Sequence, residues 1–336
     1  MTDRGVNLRQ PGGDTLLDGV GLGGFRVTGW FEGLGRQGAL DLVARELGGE
    51  LRKRRASIKG YDHAWDVLSG GLVAVSDCPG RDAEVHVQVP QTDAEVLGWR
   101  AVRRFLLAFV GAASRWQSSR LDLNVDVQGG VDPREVYAAL RAGDVVTRVR
   151  SDHMALTENA AGGATCYVGS RESERLLRVY RADVVHLGLE PGTVRWELEQ
   201  HGEAATSAMQ AMFGLGAVPK LPRGLVQAKF WSMVRGFVDF RDSASAVRSN
   251  DRTPLDWWAQ LTAGVERVAR WHIERAELVP RSVSRITSWA LRQWAVSLAY
   301  LGRELGAERT GQFVEALFID GDRRLEAQFQ RHYGAA

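Results

Sequence analysis

Charged and phenolic side chains alternate with apolar residues in three stretches of the sequence. The stretches are RLDLNVDV at 120–127, RLLRVYRAD at 175–183 and TVRWELEQ at 193–200. Side chains of a β-strand alternate between the two faces of a sheet, so every second residue of each stretch shares one face. The polar set on that face is Arg120, Asp122, Asn124, Asp126, Arg178, Tyr180, Arg195, Glu197 and Glu199.

This polar set has two interpretations. It is either the solvated face of an antiparallel sheet or a metal site that cuts a phosphodiester. Crowded carboxylates repel one another unless a cation or arginines compensate, and hard oxygen ligands suit Mg²⁺ or Mn²⁺. Such an ion polarises a phosphate oxygen while a nucleophile attacks phosphorus. Under this second interpretation we predict Asp122 and Glu197 as the leading metal ligands, followed by Asp126 and Glu199.

Tyrosine is the nucleophile that the set offers. Tyr180 is the first candidate because it shares the acidic face, and Tyr167 is the second because a neighbouring strand, ATCYVGS at 164–170, would bring it close. The alternative for Tyr167 is ordinary packing within a strand.

DNA phosphates would be held by two groups of side chains. Arginine suits forked phosphate contacts, and the strand arginines lie among the acids. The segment GSRESER at 169–175 adds a second group, although a simple polar hairpin explains it as well. The predicted DNA-binding residues are Arg120, Ser170, Arg171, Ser173, Arg178 and Arg195.

The elements that position these residues alternate between strand and helix patterns. Two successive sections of the chain each read as a strand, a helix, further strands and a helix, with short connections. This order predicts an α+β fold, an antiparallel sheet with helices packed on one face, rather than a doubly wound parallel sheet. The predicted strands are 25–31, 70–77, 84–90, 118–128, 164–170, 175–183 and 193–200, and the predicted helices are 38–49, 93–113, 132–143 and 202–214.

Composition changes mark the expected domains. The composition of residues 1–22 predicts a flexible arm. Residues 23–220 are expected to form a core of two halves, 23–115 and 116–220, with the active site in the second half. Residues 221–330 are expected to form a helical C-terminal region rich in tryptophan. Those tryptophans are expected to pack the helices, although aromatic residues among arginines also stack on unpaired bases.

Bulk properties are those of an ordinary globular protein. The chain has 336 residues, 44% of them hydrophobic and 25% charged, with a formal net charge of +2. No apolar run reaches the roughly 18–20 residues that span a bilayer, and two cysteines are too few for a disulfide framework. We therefore expect a cytoplasmic protein with no membrane partner.

The order of these motifs resembles a known family. An R-x-D-x-x-x-D strand, a T-x-Y-x-G-S-R-x-S segment, an R-x-Y strand and an R-x-E-x-E strand before a small-residue helix are similar to the replication initiation factor family, Rep_trans. In this chain they read RLDLNVD, TCYVGSRES, RVY and RWELEQHGEAA, and the downstream FVDFRD and RTPLDWW extend the similarity. The likeness runs from about residue 25 to about residue 310.

The resemblance implies a DNA nicking and joining enzyme related to the HUH superfamily. In such enzymes a tyrosine attacks one DNA strand beside a single divalent metal, Mg²⁺ or Mn²⁺, and stays joined to the 5′ phosphate while the free 3′-OH primes rolling-circle replication. The implied partners are single-stranded or extruded origin DNA of a plasmid or phage, a helicase or other replication proteins, and a second copy of the chain in a homodimer.

One motif departs from the family. Plasmid-borne members carry R-Y-E where this chain reads Arg195-Trp196-Glu197. Strand parity puts Trp196 on the face opposite Glu197, where we expect it to pack between sheet and helices. Either another tyrosine is the nucleophile, or the chain binds or regulates origins without cutting them. A conjugative relaxase of an integrative element, with the same chemistry, is a further alternative.

Overall fold

The computed structural model describes residues 16–160, 162–186, 188–222, 224–267, 294, 297–316, 319, 320 and 323. Its strands are β1 Leu16–Leu17, β2 Val20–Trp30, β3 Arg52–Lys53, β4 His63–Val67, β5 Gly71–Val75, β6 Glu84–Val89, β7 Arg115–Gln128, β8 Val145–Thr147, β9 Met154–Glu158, β10 Ala164–Val168, β11 Arg175–Arg181, β12 Thr193–His201 and β13 Val238–Phe240. Its helices are α1 Gly35–Leu47, α2 Gln91–Ala112, α3 Pro133–Ala142, α4 Ala182–Val185, α5 Gly202–Phe213, α6 Val226–Arg235 and α7 Asp256–Leu261.

A single large sheet organises the described residues. Its strand order is β3-β4-β5-β6-β2-β7-β12-β11-β10-β9, with β1 paired to β2, and every pairing is antiparallel. A small second sheet joins β8 and β13. The prediction of an α+β fold built on an antiparallel sheet is therefore confirmed.

The helices cover the apolar face of the sheet. Leu121, Leu123 and Val125 of β7 are almost completely buried and belong to one core with Phe105 of α2 and Ala208 of α5. Because side chains alternate along β7, burying these three leaves Asp122 and Asn124 on the other face. The packing of the core thus fixes which face carries the polar residues.

The strand order contains an internal symmetry. The order β4-β5-β6-β2 followed by β7-β12-β11-β10 is that of two copies related by a two-fold rotation between β2 and β7. Chain order agrees: β2, α1, β4, β5, β6 and α2 correspond to β7, α3, β10, β11, β12 and α5. The first copy runs from β2 to α2 and the second from β7 to α5.

The register of the central strands gives residue equivalences. The β2–β7 pairing has Phe25 opposite Leu121 near its middle, and each strand carries one extra residue close to that pair. Counting outward from this centre makes Arg26 equivalent to Asp122, and Thr28 equivalent to Asn124. On the next strands, Gln88, His86 and Glu84 of β6 are equivalent to Glu199, Glu197 and Arg195 of β12.

Two boundaries differ from the sequence expectation. Strand β2 begins at Val20, within the glycine-rich segment that we assigned in part to a flexible arm. The chain divides into compact units at Glu274–Arg275, so the composition change near residue 220 falls inside the first unit, which also contains α6, β13 and α7. Residues 1–15 lie outside the described residues.

The late tryptophans in the first unit pack with the core. Trp196 of β12, Trp231 of α6 and Trp258 of α7 are buried with edge-to-face or tilted ring contacts. In the second unit, residues 297–305 and 307–316 are helical. Residues 268–293 of the predicted C-terminal helical region lie outside the described residues. Among the helices that are described, none combines the length and apolarity needed to cross a bilayer.

Candidate active site

The register of β7, β12 and β11 brings the predicted polar residues together. Glu197 lies opposite both Asn124 and Arg178, and Glu199 lies opposite Asp122. Directly paired residues of antiparallel strands have side chains about 4.5–5.5 Å apart on the same face. The common face predicted from strand parity is therefore present, in the middle of the second half of the sheet.

Arginines neutralise the carboxylates on this face. Arg120 donates from Nε to both carboxylate oxygens of Asp122, at 2.9 and 3.0 Å, and from Nη2 to Glu199 at 3.0 Å. Arg178 Nη2 donates to Glu197 at 2.5 Å and to Glu199 at 3.4 Å. Three acids and two arginines thus form one connected network.

Asp126 is held apart from that network. Arg195 grips it with a forked pair of hydrogen bonds, Nε to Oδ1 at 2.6 Å and Nη2 to Oδ2 at 2.7 Å. Asp126 is exposed, whereas the other three acids are buried. The structure therefore groups Asp122, Glu197 and Glu199, with Asp126 serving as the partner of Arg195.

Burial raises the proton affinity of the central acids. Asp122 is 5% exposed and Glu197 is 6% exposed. Desolvation raises the pKa of both carboxyl groups, and the neighbouring arginines offset only part of that effect. Buried carboxylates of this kind are poised to gain from any additional cation.

The two candidate tyrosines differ in their contacts. The Tyr180 hydroxyl donates to Glu197 Oε2 at 3.3 Å. Burial first, and then the charge of Glu197, raise the pKa of this phenol to about 12. Tyr167 pairs with Arg178 across β10 and β11, on the same face. Its hydroxyl makes no hydrogen bond to any residue that the structure describes.

Trp196 lies on the other side of the sheet, as strand parity predicts. It is completely buried, and its indole contacts the rings of Trp231, Phe240, Trp257 and Trp258. A side chain at position 196 therefore cannot reach the acidic face without breaking the strand register. Its role in this fold is packing.

Sequence reasoning missed His201, which lies at the rim of the network. Its Nε2 lies 2.9 Å from Glu199 Oε1 and is buried without a hydrogen bond to a described residue. Arg178 Nε is likewise buried and makes no hydrogen bond to a described residue. His201 follows Glu199 by two residues and lies opposite Arg120, so extending the parity of β12 by one step identifies it.

Sequence reasoning also missed the glycines of β2 that border the acids. A Cβ placed on Gly23 would lie 2.6 Å from Asp122 Cβ, and one placed on Gly21 would overlap the Asn124 side-chain amide. Glycine is thus required here by close approach of neighbours, not by backbone dihedral. The signal in the sequence is the glycine-rich run GLGGF at 21–25.

The donor set fits a divalent metal by chemistry rather than by ready-made geometry. Within the described residues, no three side chains of histidine, cysteine, aspartate or glutamate converge as a metal site. The arginine contacts explain this, because each central acid faces a guanidinium. Even so, Asp122, Glu197 and Glu199 present hard oxygen donors on one buried face of the sheet, and such donors suit Mg²⁺ or Mn²⁺.

The turn between β10 and β11 carries the remaining predicted DNA contacts. The Ser173 hydroxyl donates to backbone oxygens within the turn, including Ser170 O at 2.6 Å, and Gly169 has a φ of 99°. Arg171 is exposed at its tip, and Ser170 is half-buried. The Ser173 hydroxyl is therefore committed to the turn, whereas Arg171 is accessible.

Comparisons with known proteins agree with this geometry. A search of curated protein sequences returned no match. Among solved structures, the chain is similar to the rolling-circle replication initiator protein from Geobacillus stearothermophilus, with a TM-score of 0.58 and 18% identity. The similarity covers 75% of this chain and 99% of that protein, and at this identity it establishes the shared fold.

The family comparison covers the site itself. The model of the replication initiation factor family matches residues 117–317, which is more than half of the chain and includes most of β7 and all of β10, β11 and β12. This span contains all the predicted catalytic, metal-binding and DNA-binding residues. On this match, the chain belongs to the replication initiation factor family, Rep_trans.

Proposed function

We propose that this protein initiates rolling-circle replication by nicking and rejoining single-stranded origin DNA through a covalent tyrosine intermediate. The observation that carries the proposal is the Tyr180 hydroxyl, hydrogen-bonded at 3.3 Å to Glu197 on an acidic face lined by arginines. Family membership supplies the replication context, and the geometry supplies a nucleophile beside a proton acceptor.

The reaction begins with attack of Tyr180 Oη on the scissile phosphorus. The new bond joins tyrosine oxygen to phosphorus, the bond from phosphorus to the 3′ oxygen breaks, and the 5′ phosphate remains on the enzyme. Glu197 accepts the phenolic proton, consistent with its raised pKa. Rejoining is the reverse attack by the free 3′-OH, for which the ester bond has been conserved.

Arginines stabilise the charge that develops on the phosphate. Arg178 retains a buried Nε with no hydrogen bond to a described residue, so it can donate to a phosphate oxygen while Nη2 holds Glu197. Asp126 holds Arg195 in place, and Arg195 lies close enough to Tyr180 to offset part of the rise in the pKa of the Tyr180 phenol. Such preorganised donors are a large source of rate enhancement in phosphoryl transfer.

Asp122, Glu197 and Glu199 are the residues that would hold a divalent metal, Mg²⁺ or Mn²⁺. A bound ion would supply Lewis-acid stabilisation of the negative charge that develops on the phosphate. Glu199, placed between Arg120 and His201, links this set to the rim of the site. Asp126 contributes through Arg195 rather than as a ligand.

The proposal extends to partners and compartment. Origin DNA of a plasmid or phage is the substrate, a helicase or other replication protein opens the duplex, a homodimer is the expected assembly, and the cytoplasm is the compartment. Use as a conjugative relaxase involves the same chemistry on a different DNA element.

The test is covalent capture on a denaturing gel. Purified protein is incubated with Mn²⁺ and single-stranded oligonucleotides that tile both strands of the DNA element carrying its gene. We expect an adduct with the wild-type protein and with Tyr167→Phe, and no adduct with Tyr180→Phe. Loss of the adduct in Tyr167→Phe instead would overturn the assignment of the nucleophile.

Tyr61→Phe provides the matched control. Tyr61 also donates to a glutamate, Glu84 at 3.0 Å, on a strand equivalent to β12 in the other half of the sheet. Loss of the Tyr61 hydroxyl removes a similar hydrogen bond outside the proposed site, so the adduct should persist. Peptide mapping of the wild-type adduct then identifies the modified tyrosine directly.

A second candidate function is DNA binding without cleavage. The observation that favours it is the saturation of the acidic face by arginines, together with Trp196 at the motif position. Metal chelation separates the two, because it would abolish nicking but leave arginine–phosphate binding in place. DNA binding without any adduct on any tiled sequence would establish the second function.

A further inference from the structure

The equivalent positions in the first half of the sheet carry donors instead of acids. Where the second half has Asp122, Glu199 and Glu197, the first half has Arg26, Gln88 and His86. Acids that would attract a cation are thus replaced by a permanent positive charge, an amide and an imidazole. The chemistry of this half suits an anion.

His86 is a neutral support within that set. It is 6% exposed, and burial first, followed by the charge of Arg26, lowers its pKa to about 4. Thr28 Oγ1 contacts Nδ1 at 2.8 Å, and Gln88 Nε2 contacts the other ring nitrogen at 3.0 Å. The imidazole therefore positions Gln88 and leaves the charge of the set to Arg26.

Arg26 differs from the arginines of the active site in being unpaired. Arg120, Arg178 and Arg195 each bind a carboxylate. Arg26 is exposed, and its guanidinium forms neither an ion pair nor a hydrogen bond with the described part of the chain. It lies opposite Arg120 across β2 and β7, so two guanidinium groups adjoin on one face.

A second exposed arginine continues the same face. Arg115 lies at the start of β7, and its guanidinium carbon is 3.9 Å from the centre of the Trp30 ring. It has no carboxylate partner among the residues described, and exposed Gln117 lies between it and the centre of the strand. Stacking on Trp30 holds the guanidinium in place while leaving its edge free for a phosphate.

We propose that Arg26, Arg115, Gln88 and Gln117 form a backbone-binding track for the DNA strand that enters or leaves the nicking site. We call these four residues the donor strip. The inference rests on the proposed function for its substrate, and it assigns to the first half of the sheet the task of holding the DNA flank. Two free arginines beside Arg120 would bind phosphates without reading bases.

The test measures binding of a fluorescent oligo(dT) by anisotropy over a range of salt concentrations. Oligo(dT) is suitable because backbone contacts are independent of sequence. The variants are Arg26→Ala, Arg115→Ala and the double variant, with Arg45→Ala/Arg104→Ala as the charge-matched control. The control residues are exposed on helices and share Glu46 as partner, away from the sheet face.

We expect the double variant to bind at least roughly fivefold more weakly at moderate salt, with the log–log salt slope reduced by about 1.4, since each phosphate contact on a single strand contributes about 0.7. The control should bind like wild type. Adduct formation at saturating DNA should remain close to wild type, because the strip affects capture of the strand rather than the chemical step.

Two outcomes overturn the inference and leave the proposed function standing. One is an adduct from wild type together with unchanged oligo(dT) binding by the double variant. The other is equal weakening in the control, which would indicate bulk charge. Conversely, weaker binding by the double variant, together with no adduct from the wild type, would support the donor strip and contradict the proposed nicking function. The single variant Arg26→Ala, which breaks no described contact, guards against misfolding of the double variant.

Discussion

The two halves of the sheet share one topology and differ in what their polar faces carry. Around β7 and β12 the face holds three buried acids, and around β2 and β6 the equivalent positions hold an arginine, a histidine and a glutamine. The backbone frame is common, so the chemistry must come from side chains placed on it. Under the proposed function, the second half would cut the DNA and the first half would hold it.

The difference also decides where arginines are free. Burying Asp122, Glu197 and Glu199 requires compensation, and Arg120 and Arg178 provide it. On the polar face of β6 in the first half, the buried acid is Glu84, which is already bound by Arg81 and Tyr61. Arg26 is therefore released for an external anion.

The largest expected effect comes from making the second half resemble the first. Glu199→Gln gives β12 the residue that β6 has at the equivalent position. Loss of one negative charge from the metal-binding acids should lower adduct formation by at least about 100-fold, by analogy with the removal of single groups that stabilise a transition state. Single-turnover adduct formation in Mn²⁺ measures it, and chelation of wild type should have a similar result.

Glu84→Gln is the matched control for that change. Glu84 is 6% exposed, like Glu199, and is likewise bound by an arginine, but it lies in the first half. Its substitution should leave adduct formation per folded molecule unaltered. Equal loss in both variants would mean that the comparison reports stability rather than chemistry.

The second prediction concerns the strand at the boundary between the halves. Gly23→Ala places a methyl group 2.6 Å from Asp122 Cβ, where backbone and a buried side chain must shift. Overpacking of this kind costs about 1–3 kcal/mol in the free energy of unfolding. Denaturant titration measures this loss of stability. An unchanged midpoint would show that Asp122 can move away from an added methyl group at little cost.

Gly111→Ala is the control for glycine replacement itself. Gly111 lies in α2, and an added Cβ meets nothing within 4 Å. Its replacement should increase the free energy of unfolding by about 0.5–1 kcal/mol, because alanine reduces the entropy of the unfolded chain. The two glycine variants should therefore shift the unfolding midpoint in opposite directions.

Much of this comparison was readable from the sequence. Alternation at 120–127 and 193–200 predicted the shared face of Asp122, Glu197 and Glu199, because period-two burial on one side fixes parity on the other. The side of Trp196 followed from the same rule. The helix predicted at 132–143 is present as α3, and Asp132 caps it by accepting from Arg134 N at 2.9 Å.

Other features were out of reach because they depend on partners distant in sequence. Nothing local distinguishes Arg26, which is free, from Arg120, which binds Asp122 and Glu199. The glycines of β2 read as a loose segment, since only the neighbouring β7 explains why their side chains must be absent. The equivalence of the halves required the strand order, which places β2 and β7 together although about a hundred residues of chain separate their starts.

The third prediction uses the acidity of Tyr180. With a pKa of about 12, the phenol is almost entirely protonated near neutrality, and each unit of added pH raises the phenolate fraction tenfold. Because Glu197 accepts the phenolic proton during attack in the proposed mechanism, single-turnover adduct formation in Mg²⁺ should be nearly independent of pH between 7 and 9. A tenfold rise for each pH unit would instead show that the phenolate must form before attack and that Glu197 is not the base.

The smallest effect on activity is expected at Trp196, which in the first half is matched by the buried Val85. Trp196→Tyr restores the residue type of the family motif, but on the apolar face, among Trp231 and Trp258. Loss of the larger ring should reduce the free energy of unfolding by about 1–3 kcal/mol.

The informative experiment introduces Trp196→Tyr into a chain that already carries Tyr180→Phe and Tyr167→Phe. A phenol at position 196 faces the helices and cannot contact DNA bound on the acidic face, so no adduct should return. Return of the adduct would mean that β12 shifts by one residue in the active state, because a one-residue slip exchanges the two faces of a strand. Its absence, with folding retained, would mean that a tyrosine at position 196 cannot replace the tyrosines of β10 and β11, of which Tyr180 contacts Glu197.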